Sequence, residues 1–147
     1  MITNWVTEAA AVTKVQVSPL PKSKVEQLVA RIVATYTDPA LPACFLWESF
    51  IDEVSCRRSD GWEKVCEYGE SHPILLYVDE SDFEGVAFPS SDGLRQILSE
   101  TPNCEFYVTN IETDFVLCFN HHDFLIGVGT CKDWLSAILK KVSGTFY

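Results

Sequence analysis

The segment Phe115–Val128 constrains this chain more than any other. Two apolar runs, Phe115–Phe119 and Phe124–Val128, flank the polar tetrapeptide Asn120-His121-His122-Asp123. Two strand-like runs around four turn-forming residues read as a β-hairpin. Just upstream, Cys104–Thr109 alternates, with Phe106 and Val108 on one face and Tyr107 on the other. Segments 104–109, 114–119 and 124–128 are joined by four-residue connections, so an antiparallel meander is expected.

Before the meander, Ile74–Val78 is continuously apolar and follows Pro73, as suits a strand covered on both faces. Asp79–Asp82 reads as an acidic turn, and Phe83–Phe88 as the partner strand. Ser91 or Asp92 is expected to cap a helix carrying Leu94, Ile97 and Leu98, which stops before Pro102. A last helix opens at Thr130, turns Trp134, Leu135, Ile138, Leu139 and Val142 inward, and ends at Gly144.

Residues 1–17 allow either a helix or a short strand. Val25, Leu28, Val29, Ile32, Val33 and Tyr36 form a helical stripe, with Ser23 and Glu26 at capping-box spacing. Trp47, Phe50, Ile51 and Val54 suggest a second helix. Asp60 is expected to cap a short third one, closed by Gly69. The expectation is one α+β domain over residues 1–147. Residues 1–70 are mainly helical, and 71–147 hold the sheet, in the order β-β-α-β-β-β-α. The N-terminal helices pack on one side and helices cover one face.

The formal net charge is −10, and residues 73–147 carry four Lys/Arg against eleven Asp/Glu. Such a surface repels nucleic-acid phosphates and anionic lipid, and steers a basic protein toward it. No apolar run reaches the ~20 residues a membrane-spanning helix needs, and Met1–Val12 lacks the basic and apolar regions of a secretory signal. Six cysteines occur without a Cys-x-x-Cys pair and beside apolar neighbours. They read as reduced, packing thiols in a cytoplasmic protein.

Each candidate for chemistry has a plainer competitor. His121, His122 and Asp123 invite a metal-dependent hydrolase, but adjacent residues generally point apart, and Glu112 and Asp114 lie at the far end of the intervening strand. The competing reading is a turn in which Asn120 or Asp123 bonds its own backbone. Cys118 with His122 or His72 invites a nucleophile–base pair, but Cys118 falls inside an apolar strand where burial dulls a thiol. Gly127-x-Gly129 lacks the glycine and lysine pattern of a phosphate loop and reads as a close backbone approach. The acidic clusters Asp79-Glu80-Ser81-Asp82-Phe83-Glu84 and Glu112/Asp114, interleaved with Phe83 and Phe115, suit the Lys and Arg of a partner.

The stretch Glu112–Ile126, followed by Trp134-Leu135, resembles a family of small bacterial proteins of unknown function. Their acidic-Phe-x-Leu-Cys-Phe-Asn-His-His-Asp hairpin precedes a Trp-Leu helix. Tyr77-Val78-Asp79 and Glu105-Phe106-Tyr107-Val108 look similar to it as well. The resemblance covers about the last ninety residues and implies no catalytic residue. Its size and acidity look like those of immunity proteins that neutralise bacterial toxins, an analogy rather than a motif match. The expectation is a non-enzymatic acidic binding protein, monomeric or homodimeric, with no cofactor and no metal. Its partner is a basic protein, with neither nucleic acid nor membrane involved. Its candidate interaction surface is Asp79, Glu80, Asp82, Glu84, Glu112, Asp114, His121, His122 and Asp123. The alternative is a small metal-dependent hydrolase using His121, His122 and Asp123.

Overall fold

The computed structural model describes residues 2–41, 45–79, 82–100 and 105–144. Among these, the elements run α1 (Ile2–Thr13), β1 (Ser18–Pro19), α2 (Lys22–Tyr36), a 3-10 turn (Leu46–Ser49), β2 (Val54–Arg57), α3 (Gly61–Glu67), β3 (Ile74–Asp79), β4 (Asp82–Ala87), α4 (Ser91–Ser99), β5 (Phe106–Thr109), β6 (Phe115–Phe119), β7 (Phe124–Gly129) and α5 (Lys132–Gly144). The seven strands make one antiparallel sheet in the order β1-β4-β3-β5-β6-β7-β2. The fold is α+β, with the expected meander at its centre.

Alternation along the strands separates two cores. Leu75, Tyr77, Phe106, Val108, Phe115, Leu117, Phe119 and Leu125 pack beneath α1, α3, α4 and α5. Ile74, Leu76, Tyr107, Val116, Cys118, Ile126 and Val128 point the other way, toward Val25, Leu28 and Ile32 of α2 and toward Phe50. Helices therefore cover both faces, not one. The central strands are buried at every position, as in Phe115–Phe119, and such strands need cover on each side. Burying one Leu or Phe contributes roughly 1.5–3 kcal/mol, so the two-sided sheet is the main source of stability.

Three local expectations change. Trp47–Val54 is not a helix: after one 3-10 turn the chain extends at Phe50, turns at Asp52 (φ 56°) and enters β2. Its helical spacing misleads because Trp47 and Phe50 both lean on the sheet, while Ile51 is exposed. The Ser23/Glu26 capping box is absent because α2 starts two residues earlier than a Ser23 cap requires, with Pro21 at its N-cap and no side-chain cap. Ser90, rather than Ser91 or Asp92, caps α4, its hydroxyl accepting the Gly93 N–H at 3.1 Å. Asp60 does hold the N-cap position of α3, but its carboxylate binds Arg58 rather than the helix.

Gly129 ends β7 in a conformation that a side chain would strain. Its φ is +80°, and a Cβ there would collide with the Asp114 carbonyl and stand 2.7 Å from the Tyr36 hydroxyl. The Thr130 N–H donates to that same Asp114 carbonyl at 2.9 Å. The close backbone approach expected of the Gly-x-Gly pair thus occurs at Gly129.

Candidate functional site

Registers across the sheet fix which ends meet. Gly85, Leu76, Tyr107, Cys118, Ile126 and Ser55 form one row across six strands. The β3–β4 and β6–β7 turns therefore lie at the same end of the sheet. The β5–β6 turn, with Glu112 and Asp114, lies at the other end, roughly 15 Å away along β6 at ~3.4 Å per residue.

The nine candidate residues thus do not form one surface. Glu80 lies outside the described residues, and Asp79 ends β3 opposite Asp82. Asp82 faces Lys22 at 3.9 Å with both side chains largely exposed, a pair worth little. Glu84 alternates with Phe83, which packs against Tyr107 on the α2 side, so Glu84 points to the opposite face. Asp114 is built into its turn: the Asn110 amide donates to Asp114 Oδ2 at 3.3 Å and to Glu70 Oε2 at 3.2 Å, while Asn110 Oδ1 accepts the Asp114 N–H. Beside it, the Tyr36 hydroxyl donates to the Thr113 carbonyl at 2.7 Å. Burial, reinforced by the nearby Asp114 carboxylate, raises the Tyr36 pKa.

The hairpin tip closes on itself. Asn120 is buried, and its Oδ1 accepts the N–H groups of His122 (2.9 Å) and Phe124 (3.0 Å). Asp123 takes a left-handed conformation, φ 63°, and its N–H returns to the Asn120 carbonyl. Of the two residues named for self-bonding, Asn120 does it through its side chain. This leaves the His121 and His122 rings outside, 4.0 Å apart between centroids.

His121 has a partner that sequence reading missed. Its Nδ1 lies 3.0 Å from Glu105 Oε1, which also accepts Trp47 Nε1–H at 2.9 Å. Phe45 stacks on Trp47 and tilts against His121, with centroid distances of 6.0 and 5.2 Å. The Trp47 N–H donates to the Tyr107 hydroxyl. Glu105 was findable: it precedes Phe106, which pairs with Phe119, so the meander register sets it beside the tip. The Phe45–Trp47 contribution comes from a long connection and carries no such signal.

Beside this cluster runs a groove of about 290 Å³ lined by Trp47, Glu48, Glu53, His122, Phe124 and Ile126. It lies over β7 and β2 on the face that α2 covers elsewhere. Phe45 and Phe124 are exposed at 43% and 37%. Carboxylates alternating with aromatic faces favour an ammonium or guanidinium, which both can attract.

Among the described residues, no group of three or more His, Cys, Asp or Glu side chains is placed to hold a metal ion. Cys118 is fully buried on the α2 side, and burial, aided by Glu105, pushes its thiol pKa well up despite a hydrogen bond from Tyr107. His122 is exposed at the turn and His72 in a loop beside Glu70. No helix is long and apolar enough to cross a membrane among the described residues. No protein-family model, curated protein or solved structure matches the chain.

Proposed function

We propose that this chain is a non-enzymatic, acidic binding protein of the cytoplasm that holds a basic protein partner, in the manner of an immunity protein. The supporting observation is the groove at the hairpin end. There Trp47, Phe45 and Phe124 are held part-exposed among Glu48, Glu53 and Glu105. A Lys or Arg of the partner finds a charged acceptor and a ring face within one site. The surrounding charge of −10 speeds the encounter, and ordered aromatic anchors supply affinity once it docks. The contact proposed here is narrower than the nine-residue surface read from sequence. It keeps His121, His122 and Asp123 at its rim and leaves Glu112 and Asp114 out.

The test is capture from the native host with the wild-type chain and with an E48R/E53R variant, followed by mass spectrometry. The reading expects a basic protein, encoded beside this gene, that the wild type retains at low salt and the variant loses. A partner held equally by both sinks it.

A further inference from the structure

The two edges of the sheet differ. β1 is two residues long and ends in Pro19, which has no N–H to offer. Short length and proline both keep an edge from pairing. β2 is four residues long, Val54-Ser55-Cys56-Arg57, with no proline and no lysine.

Its backbone has a defined polarity. The Arg58 N–H donates to the Asp123 carbonyl of the β6–β7 turn at 2.9 Å. N–H and C=O of one residue point the same way in an antiparallel ladder, and successive residues alternate. Val54 and Cys56 therefore turn toward β7, opposite Gly127 and Leu125. Glu53, Ser55 and Arg57 present their N–H and C=O groups outward, and these groups bond no described residue. Their three side chains are exposed, and share the sheet face opposite Cys56.

We infer that β2 is a self-pairing edge, on which a second copy of this chain docks its own β2 antiparallel about a two-fold axis at Ser55. Ser55 then meets the partner's Ser55 and exchanges two N–H···O=C bonds. Glu53 meets the partner's Arg57, and Arg57 the partner's Glu53. Directly opposed side chains have Cβ atoms about 4.5–5.5 Å apart, within reach of an ion pair. The register is selective. Only odd-numbered residues offer outward backbone groups, so registers slide by two. One slip sets Glu53 against Ser55, another Ser55 against Arg57, and larger slips set Glu53 against Glu53 or Arg57 against Arg57. The Ser55-centred register alone satisfies both charges of both copies, in the isologous pattern that closes a dimer. The copies' net charges repel at long range, but this is screened beyond about 8 Å at physiological ionic strength, whereas the paired charges are in contact. The inference does not rest on the basic-partner reading, although Glu53 and Ser55 also line that groove; Arg57 does not, so the R57E result bears on the edge alone.

Sedimentation velocity of the full chain over a concentration series tests it. The expected wild-type mass rises to twice that of the protomer. S55P removes an N–H that faces solvent in the protomer, so circular dichroism is unchanged and the mass stays that of one chain. E53R and R57E each move the dimerisation midpoint about tenfold toward higher concentration, and E53R/R57E brings it back, because the swap restores opposite charges. The charge variants decide the question even where S55P fails to fold. A wild type that is monomeric throughout, a dimer that no variant weakens, or a double variant that stays weak would overturn the assignment. So would a monomer whose Ser55 and Arg57 amides gain hydrogen-exchange protection only on adding poly-lysine, which would give the edge to a basic partner strand instead.

Discussion

The hydroxyl of Tyr107, at the centre of the sheet, accepts the backbone N–H of Trp47 at 3.3 Å. One oxygen thus anchors the 3-10 turn to β5 and sets the height of the Trp47 ring beside Glu105. Tyr107 is 2% exposed, and burial raises its pKa far above the usual phenol value. Tyr107→Phe leaves the Trp47 N–H and the Cys118 thiol without this oxygen. We predict a loss of about 1–2 kcal/mol in urea denaturation, the cost of stranding a partly buried donor. A loss within error of zero would show that the turn is held by packing alone.

Two glycines at positive φ separate strain from crowding. Gly129 (φ +80°) is walled by the Asp114 carbonyl and the Tyr36 hydroxyl, whereas Gly69 (φ +83°) has only the Glu67 carbonyl 4.0 Å from a built Cβ. Gly69→Ala should cost about 1 kcal/mol for backbone strain alone. Gly129→Ala adds a steric collision and should cost several times more, on the order of 3 kcal/mol or above. Thermal melts of the two variants side by side give the comparison, and equal shifts would refute the close approach.

The sequence carried the strands that obey period two. Phe106–Thr109, Phe115–Phe119 and Phe124–Gly129 stand where alternation or unbroken apolarity put them. Two-sided cover is legible in principle, since Ile74–Val78 and Phe115–Phe119 have no polar face, yet an amphipathic helix carries no signal for which side of the sheet it takes. The edge strand β2 was hidden because Trp47, Phe50, Ile51 and Val54 mimic a helical stripe. Their side chains reach the sheet from an irregular segment, and only tertiary contacts reveal that. The site suffered from the same cause: Asn120 and His121 are local to the hairpin, but Trp47 comes from more than seventy residues away.

The turn itself distinguishes Asn120 from His122. Asn120→Ala deletes the acceptor of two backbone N–H groups in a residue that is 2% exposed. It should cost about 1–3 kcal/mol. His122→Ala removes an exposed ring, while the N–H that serves the turn remains, and should change stability by less than about 0.5 kcal/mol. Chemical denaturation of both variants checks the contrast. A large effect at His122 would point to a structural or ligand role for its ring.

Buried thiols set the alkaline limit. Burial pushes the pKa of Cys66 and Cys131 up to about 12, from the 9.0 of an ordinary thiol. In the folded chain these thiols stay protonated while the unfolded chain ionises them. The folded state therefore binds more protons between pH 9 and about 12, and stability falls as pH rises through that window. Below pH 9 this contribution is complete. The denaturation midpoint should drop steadily above pH 9, and Cys131→Ser should flatten part of the slope. A midpoint constant from pH 8 to 11 would contradict the burial. Asp60 acts at the acid end: the Arg58 hydrogen bond lowers its pKa, so its contribution is present above pH 3.8 and lost as pH falls further, modestly because the pair is partly exposed.

Binding should separate the two ends of the sheet. Glu48 and Glu53 line the aromatic groove, whereas Glu112 is exposed at the opposite end. A basic partner docked on Trp47 and Phe124 loses direct charge partners in E48R/E53R and gains two repulsive ones. Affinity should fall about tenfold or more, equivalent to ~1.4 kcal/mol. E112R changes the total charge by two without touching the groove. It should slow association slightly and leave dissociation unchanged, since distant charges steer encounter while contacts set the lifetime. Raising salt from 0.05 to about 0.5 M should shrink the E112R effect first, because its field crosses more solvent than a Debye length of ~10 Å or less. Surface plasmon resonance with the captured partner yields both rates. If E112R weakens the complex as much as E48R/E53R does, the contact is diffuse and the groove is not its seat.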